Sequence, residues 1–226
     1  MSTTSTQVKL TKWKPKFKRG KPFAMLLFAS RNSGKSYLMR HLIRTSIRSQ
    51  YDLIIIVSDS PDTKKDFTPC CPKALFLSDM NFSIINNLME KNAKREKEGK
   101  EPLNMLLIFD DKIGRDIKND QNLLNIFTRG RHLNISVIFS SQSKKLAETT
   151  WLNNADYTII LKSNSAQQKK TILENVLKGS VDVEDPKKEV QILRELVRAH
   201  CSRQGDALVI DSQTTSNNNL FWYRAP

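Results

Sequence analysis

At 226 residues the chain is long enough for one α/β domain with a buried core, and its 38% hydrophobic content lies outside the disordered range. Three cysteines, Cys70, Cys71 and Cys201, exclude a disulfide framework and suit a reducing, intracellular setting. No run approaches the ~20 apolar residues of a membrane span, and the N-terminus lacks an apolar leader segment.

The net charge of +14 and the isoelectric point near 9.8 point to a polyanionic partner, nucleic acid before membrane. Much of that charge is at the start. Residues 1–51 contain no Asp or Glu, and Lys9, Lys12, Lys14, Lys16, Lys18, Arg19 and Lys21 crowd the first part. Residues 1–21 therefore read as a basic, mobile arm ahead of a single domain at 22–226. Trp13 and Phe17 interleave with the lysines. They either stack on bases beside neutralised phosphates or dock on the domain.

The apolar run 23–28 predicts a strand. Ala29-Ser30-Arg31-Asn32-Ser33-Gly34-Lys35-Ser36 follows it. A helical pattern comes next, with Leu38, Met39, Leu42, Ile43 and Ile47 on one broad face. Strand, loop and helix in that order are what a phosphate-binding P-loop requires. Loop N–H groups and the helix N-terminus make a concave donor surface for polyphosphate. Gly34 lets the backbone approach the phosphates, Lys35 reaches the β- and γ-phosphates, and Ser36 places its hydroxyl on Mg²⁺. The expected nucleotide-binding set is Ser30, Arg31, Asn32, Ser33, Gly34, Lys35, Ser36 and Tyr37. Ala29 replaces the usual first glycine, which the loop tolerates if φ there is negative.

Downstream, 51–57 reads as a buried parallel strand, 58–72 as a proline-broken loop and 74–77 as a short strand. Phe82, Ile85, Leu88, Met89 and Asn92 follow helical spacing, with the mixed charges from Lys91 to Glu101 as the helix's solvated end and a turn at Gly99. The apolar strand 103–109 stops at Asp110-Asp111. The first carboxylate can hold Mg²⁺, and the second can accept the proton of an attacking water. A helix carrying Leu123, Leu124, Ile126 and Phe127 ends near Gly130, inside Arg129-Gly130-Arg131-His132. The strand 135–140 then leads to Ser141-Gln142, whose amide is placed to contact the γ-phosphate or the water. Tyr157 opens a fourth core strand, 165–178 is helical, and Asp185-Pro186 caps a helix carrying Val190, Leu193, Leu196 and Val197 inward. The late strands 207–210 and 220–223 are expected to pair as an edge hairpin.

With these pieces in order, the chain resembles the DNA-packaging ATPases of large double-stranded DNA viruses and their virophage-like relatives, in the FtsK–HerA superfamily. The matching residues are Ser33-Gly34-Lys35-Ser36, Leu106-Leu107-Ile108-Phe109-Asp110-Asp111, Arg129-Gly130-Arg131-His132, Gln142 and Phe221-Trp222-Tyr223-Arg224-Ala225. The resemblance implies a RecA-like, mostly parallel sheet flanked by helices, with the Gln142 strand between the P-loop strand and the Asp-Asp strand. It implies ATP and Mg²⁺ as cofactors, with Ser36 and Asp110 on the metal. It further implies a homo-oligomeric ring, hexamer or pentamer, in which Arg131, or else Arg129, completes a neighbour's site; the alternative is that one or both bind DNA phosphates or pair with a carboxylate. Double-stranded DNA and viral capsid or portal-vertex proteins are the implied partners, without a membrane, in the host cytoplasm or the virion. Asp111 stands where many superfamily members carry Glu. The competing readings are a small P-loop nucleoside or nucleotide kinase and a non-enzymatic DNA- or capsid-binding adaptor.

Overall fold

The computed structural model describes residues 8–58, 60–78, 82–110, 121–141, 149–214 and 218–226. Its centre is an eight-stranded sheet. In chain order the elements are β1 (Ala24–Phe28), α1 (Lys35–Leu42, prolonged by a π-helical turn Ile43–Ile47), β2 (Leu53–Ser58) and α2 (Asp62–Phe67). Then come β3 (Leu75–Leu77), α3 (Phe82–Lys97), β4 (Met105–Asp110), α4 (Gln121–Arg129) and β5 (Ile135–Ser141). The chain finishes with α5 (Thr149–Asn154), β6 (Tyr157–Leu161), α6 (Ala166–Thr171, prolonged by Ile172–Val176), α7 (Pro186–His200), β7 (Asp206–Asp211) and β8 (Leu220–Arg224).

The spatial order is β3-β2-β4-β5-β1-β6-β7-β8. All pairings from β3 to β6 are parallel, and β7 and β8 add antiparallel as the expected edge hairpin. The inner strands Ala24–Phe28, Met105–Asp110 and Tyr157–Leu161 are buried at every position, as strands covered on both faces must be. One face packs Leu26, Leu107, Val137 and Phe139 against α4, α6 and α7. The other packs Leu27, Ile56 and Ile138 against α1. β5 lies between β1 and β4, so the strand leading to Gln142 separates the P-loop strand from the Asp-Asp strand. Parallel strands aligned this way bring the ends of β1, β4 and β5 to one edge, where ligands of open α/β sheets bind.

Two local differences from the sequence reading have clear causes. Within the proline-broken loop, Asp62–Phe67 forms a short helix. Pro61 starts it with a helical φ, and Phe67, 1% exposed, fixes it to the core. The helix α5 has no signal in the sequence, because a six-residue segment shows too little periodicity. Buried Trp151 anchors it, packing on Phe127 and Phe139.

From residue 8 onward the basic arm is a docked strap. Trp13 N–H donates to the Trp222 carbonyl at 2.8 Å and Trp222 N–H to the Thr11 carbonyl at 3.1 Å, so the strap pairs with the free edge of β8. Covering that edge removes a template for aggregation. Trp13 and Phe17 are buried in an aromatic cluster with Phe23, Tyr157 and Tyr223, and Trp13 Nε1 donates to Asp211 Oδ2 at 3.1 Å. Arg19 closes the strap with a bidentate pair to Asp52, at 3.0 and 2.9 Å. Aromatic burial thus outweighs the mobility that composition suggests, while Lys9, Lys12, Lys14, Lys16, Lys18 and Lys21 stay exposed.

Candidate nucleotide site

β1 delivers the chain at Phe28 into a loop whose conformation is set by a few residues. Ala29 is not among the positive-φ residues of the described backbone, and its methyl is buried in the α1-side core. That is why alanine is accepted in place of glycine. The left-handed positions are Asn32, at φ 60°, and Gly34, at φ 89°. A Cβ on Gly34 would stand 2.3 Å from the Gly205 nitrogen. Gly34→Ala therefore carries both a strained φ and a clash with backbone. We expect it to eliminate nucleotide binding and lower the denaturation midpoint, readable by calorimetry and urea titration.

Neighbouring segments hold the loop from two sides. Ser30 N–H donates to the Lys162 carbonyl at 3.3 Å, and Ser30 Oγ donates to Gln168 Oε1 at 2.7 Å. On the other side Gly205 N–H donates to the Ser33 carbonyl at 3.2 Å. Ser30 is thus a brace for the loop as well as a member of it. Arg31 and Asn32 are exposed at the crest, Ser36 is half-buried, and Tyr37 is exposed just beyond.

Lys35 opens α1 and turns toward β4. Its Nζ lies 3.0 Å from Asp110 Oδ1, with both side chains over 90% buried. Ser140 at the tip of β5 donates its hydroxyl to the same carboxylate oxygen at 2.8 Å. The strand register places Asp110 opposite Ser140, and β5 in turn pairs with β1. Ser33 Oγ is buried and has no hydrogen-bond partner among the described residues. A buried hydroxyl in that state costs free energy unless something supplies a partner.

These residues fit a nucleoside triphosphate with a divalent cation. The orphaned Ser33 hydroxyl suits a phosphate oxygen, and Ser36 with Asp110 offers the hard oxygen ligands Mg²⁺ takes. Asp111 and Gln142 lie outside the described residues; the strands that lead to them end side by side. The two arginines sit elsewhere. Arg129 is exposed at the end of α4. Arg131 is half-buried, with Nη1 2.8 Å from Asp156 Oδ1 and Nη2 donating to the Asn154 carbonyl at 3.2 Å. Asp156 also accepts the Ala24 N–H at 2.7 Å. Both arginines stand at the start of β5, a strand of seven residues and so roughly 20 Å from the edge that carries their own P-loop.

Sequence reading missed Ser140, Gln168 and the Gln204-Gly205 turn. Ser140 left a trace, a polar residue ending an apolar strand beside Gln142. Gln168 and Gln204 left none, since each meets the loop only through tertiary packing.

Residues 11–222 match the poxvirus A32 protein family. The chain belongs to that family. An uncharacterized protein of Frog virus 3 is 23% identical over 206 residues, covering 89% of this chain, and this chain spans 61% of that protein's length. Among solved structures, B204, the DNA-packaging ATPase of Sulfolobus turreted icosahedral virus, superposes with a TM-score of 0.60 at 16% identity, covering 91% of this chain and 99% of that one. The B204 genome-packaging NTPase of Sulfolobus turreted icosahedral virus 2, in complex with AMPPCP, gives 0.60 at 13% identity, covering 92% and 100%. At these identities the likeness establishes a shared P-loop ATPase fold.

Proposed function

We propose that this protein is an ATP-hydrolysing motor that translocates double-stranded DNA, packaging a viral genome into a preformed capsid. The observation that carries the reading is the buried Lys35–Asp110 pair beside the orphaned Ser33 hydroxyl, at the edge where β1, β4 and β5 end together. Family membership and the B204 likeness supply the packaging context.

Lys35 and the loop N–H groups bind the phosphates, and Ser36 with Asp110 holds Mg²⁺. Mg²⁺ held there would supply positive charge against the phosphates. Asp111 accepts the proton of the attacking water, and Gln142 orients that water. The test is ATP turnover with and without double-stranded DNA at several protein concentrations. DNA should raise turnover in a motor and leave a nucleoside or nucleotide kinase unaffected, and turnover per chain should climb as rings form. Unchanged rates under both conditions would remove the motor reading. Asp111→Asn is expected to retain ATP binding and lose turnover by at least about a hundredfold, the usual scale of general-base catalysis. Wild-type turnover in that variant would take the base role from Asp111.

The arginine acts between subunits in this reading, because neither Arg129 nor Arg131 reaches its own loop. Arg131 already holds Asp156 within its own fold, which favours exposed Arg129 as the residue offered to a neighbour. Trans arginines contribute ~10³–10⁵ in rate. Arg129→Ala and Asp111→Asn chains, each inactive alone, should regain activity when mixed, since some interfaces then pair an intact site with an intact arginine. If mixing restores nothing while rings still assemble, and Arg131→Ala mixtures do recover, the role passes to Arg131.

A further inference from the structure

We propose that Tyr37 and the turn at Gln204-Gly205 form an adenine subsite, with the Tyr37 ring as stacking platform and the Gln204 amide reading the base edge. This rests on Lys35 and Asp110 binding the β/γ end of a nucleoside triphosphate, and it assigns the other end.

The direction follows from the helix. Lys35 and Tyr37 are two residues apart on α1, so their side chains diverge by about 200°. Lys35 points toward β4, and Tyr37 points to the opposite side, where β7 begins. A triphosphate whose terminal oxygens meet Lys35 therefore sends its nucleoside toward Tyr37.

That side is built as a platform. Tyr37 is 43% exposed and is one of two exposed large hydrophobics among the described residues, an unusual fate for a ring fixed on several sides. Its hydroxyl donates to the Pro226 carbonyl. Gly205, at φ 82°, packs its backbone on the ring edge so closely that a Cβ there would stand 3.2 Å from Tyr37 Cδ1, which helps fix the ring while the rest of it stays exposed. Gln204 runs along the loop, its Cγ 2.7 Å from where a Gly34 Cβ would be, and is exposed beyond that contact. Base-on-aromatic stacking needs only an open face on a rigid ring. The Gln204 amide sets an NH₂ donor beside a carbonyl acceptor, which together match adenine N7 and N6–H₂, whereas guanine presents acceptors at both N7 and O6 and leaves the amide oxygen without a donor.

The test is calorimetric titration of the full chain with Mg²⁺ and either ATP, GTP or inorganic tripolyphosphate. Wild-type protein should bind ATP at least about tenfold more tightly than tripolyphosphate, the low end of what base stacking supplies. Tyr37→Ala should lose about that factor for ATP and keep its tripolyphosphate affinity, because the backbone N–H remains. Tyr37→Phe should behave as wild type. Gln204→Ala should bring ATP and GTP to within about threefold of each other, removing a preference of about tenfold. If wild-type protein binds neither ATP nor tripolyphosphate, the phosphate site fails and the subsite falls with it. If both bind, and Tyr37→Ala and Gln204→Ala leave both affinity ratios unchanged, the subsite alone is overturned.

Discussion

Lys35→Met is expected to abolish ATP hydrolysis and to destabilise the fold by about 3–5 kcal/mol, the cost of stranding a buried charge. The two effects share an origin. Lys35 and Asp110 are buried together at 3.0 Å, and the Ser140 hydroxyl is the other group seen on that carboxylate oxygen. Removing the ammonium leaves an anion in a site that burial has stripped of water. The same ammonium is the cation placed to meet the β/γ oxygens from within the loop. A second variant separates the roles. Lys35→Met combined with Asp110→Asn removes both charges, and replacing a whole buried pair is often neutral for stability. The double variant should recover most of the urea midpoint and none of the turnover. If Lys35→Met is as stable as wild type, the ion pair is not holding these strands together. If the double variant hydrolyses ATP, Lys35 is not the phosphate cation.

The parts of this molecule legible in its sequence are those with local causes. β2 and β4 appear as apolar runs, and β5 and β6 as apolar runs broken by Ser136 and Thr158, because both faces of a parallel sheet are covered. Asp185-Pro186 announces α7 through a cap that operates within three residues, and Asp185 does accept the Lys187 N–H. The place of β5 between β1 and β4 follows from the family resemblance and not from the residues of β5 themselves, and the sheet has that order. What composition misjudged was the strap. Seven cations among the first 21 residues argue for solvation, and two buried aromatics reverse that outcome through contacts with β6 and β8, far along the chain. Arg131 shows the same gap. Its motif position leaves a role between subunits and pairing with a carboxylate both open, and nothing near it in sequence says that the carboxylate is Asp156. The cradle around Gly34 is also non-local, since the backbone that forbids a side chain there comes from Gly205.

The docked strap changes how DNA contact should be tested. Residues 8–21 place exposed lysines on a backbone pinned by Trp13 and Phe17, so the charges form a fixed ridge along β8 and across the start of β1 and β6. Deleting the strap would confound binding with folding, because losing a buried Trp alone costs about 3–5 kcal/mol. The informative variant changes Lys9, Lys14, Lys16, Lys18 and Lys21 to Gln and spares Lys12, whose Nζ lies 5.7 Å from the Trp222 ring centre. A motor must hold duplex DNA without reading it, and phosphate contacts carry no base information. Each phosphate neutralised adds about −0.9 to the slope of log K against log salt, so losing five contacts should flatten that slope by about 4–5. Affinity at 0.1 M salt should fall by at least about a hundredfold, with no change in sequence preference. The urea midpoint should move little, since exposed substitutions of this kind rarely exceed about 0.5 kcal/mol each. Unchanged affinity and slope would show that the ridge does not carry the DNA. The exposed cations of α6 and α7, including Lys169, Lys170, Arg194 and Arg198, would then be the next surface to neutralise.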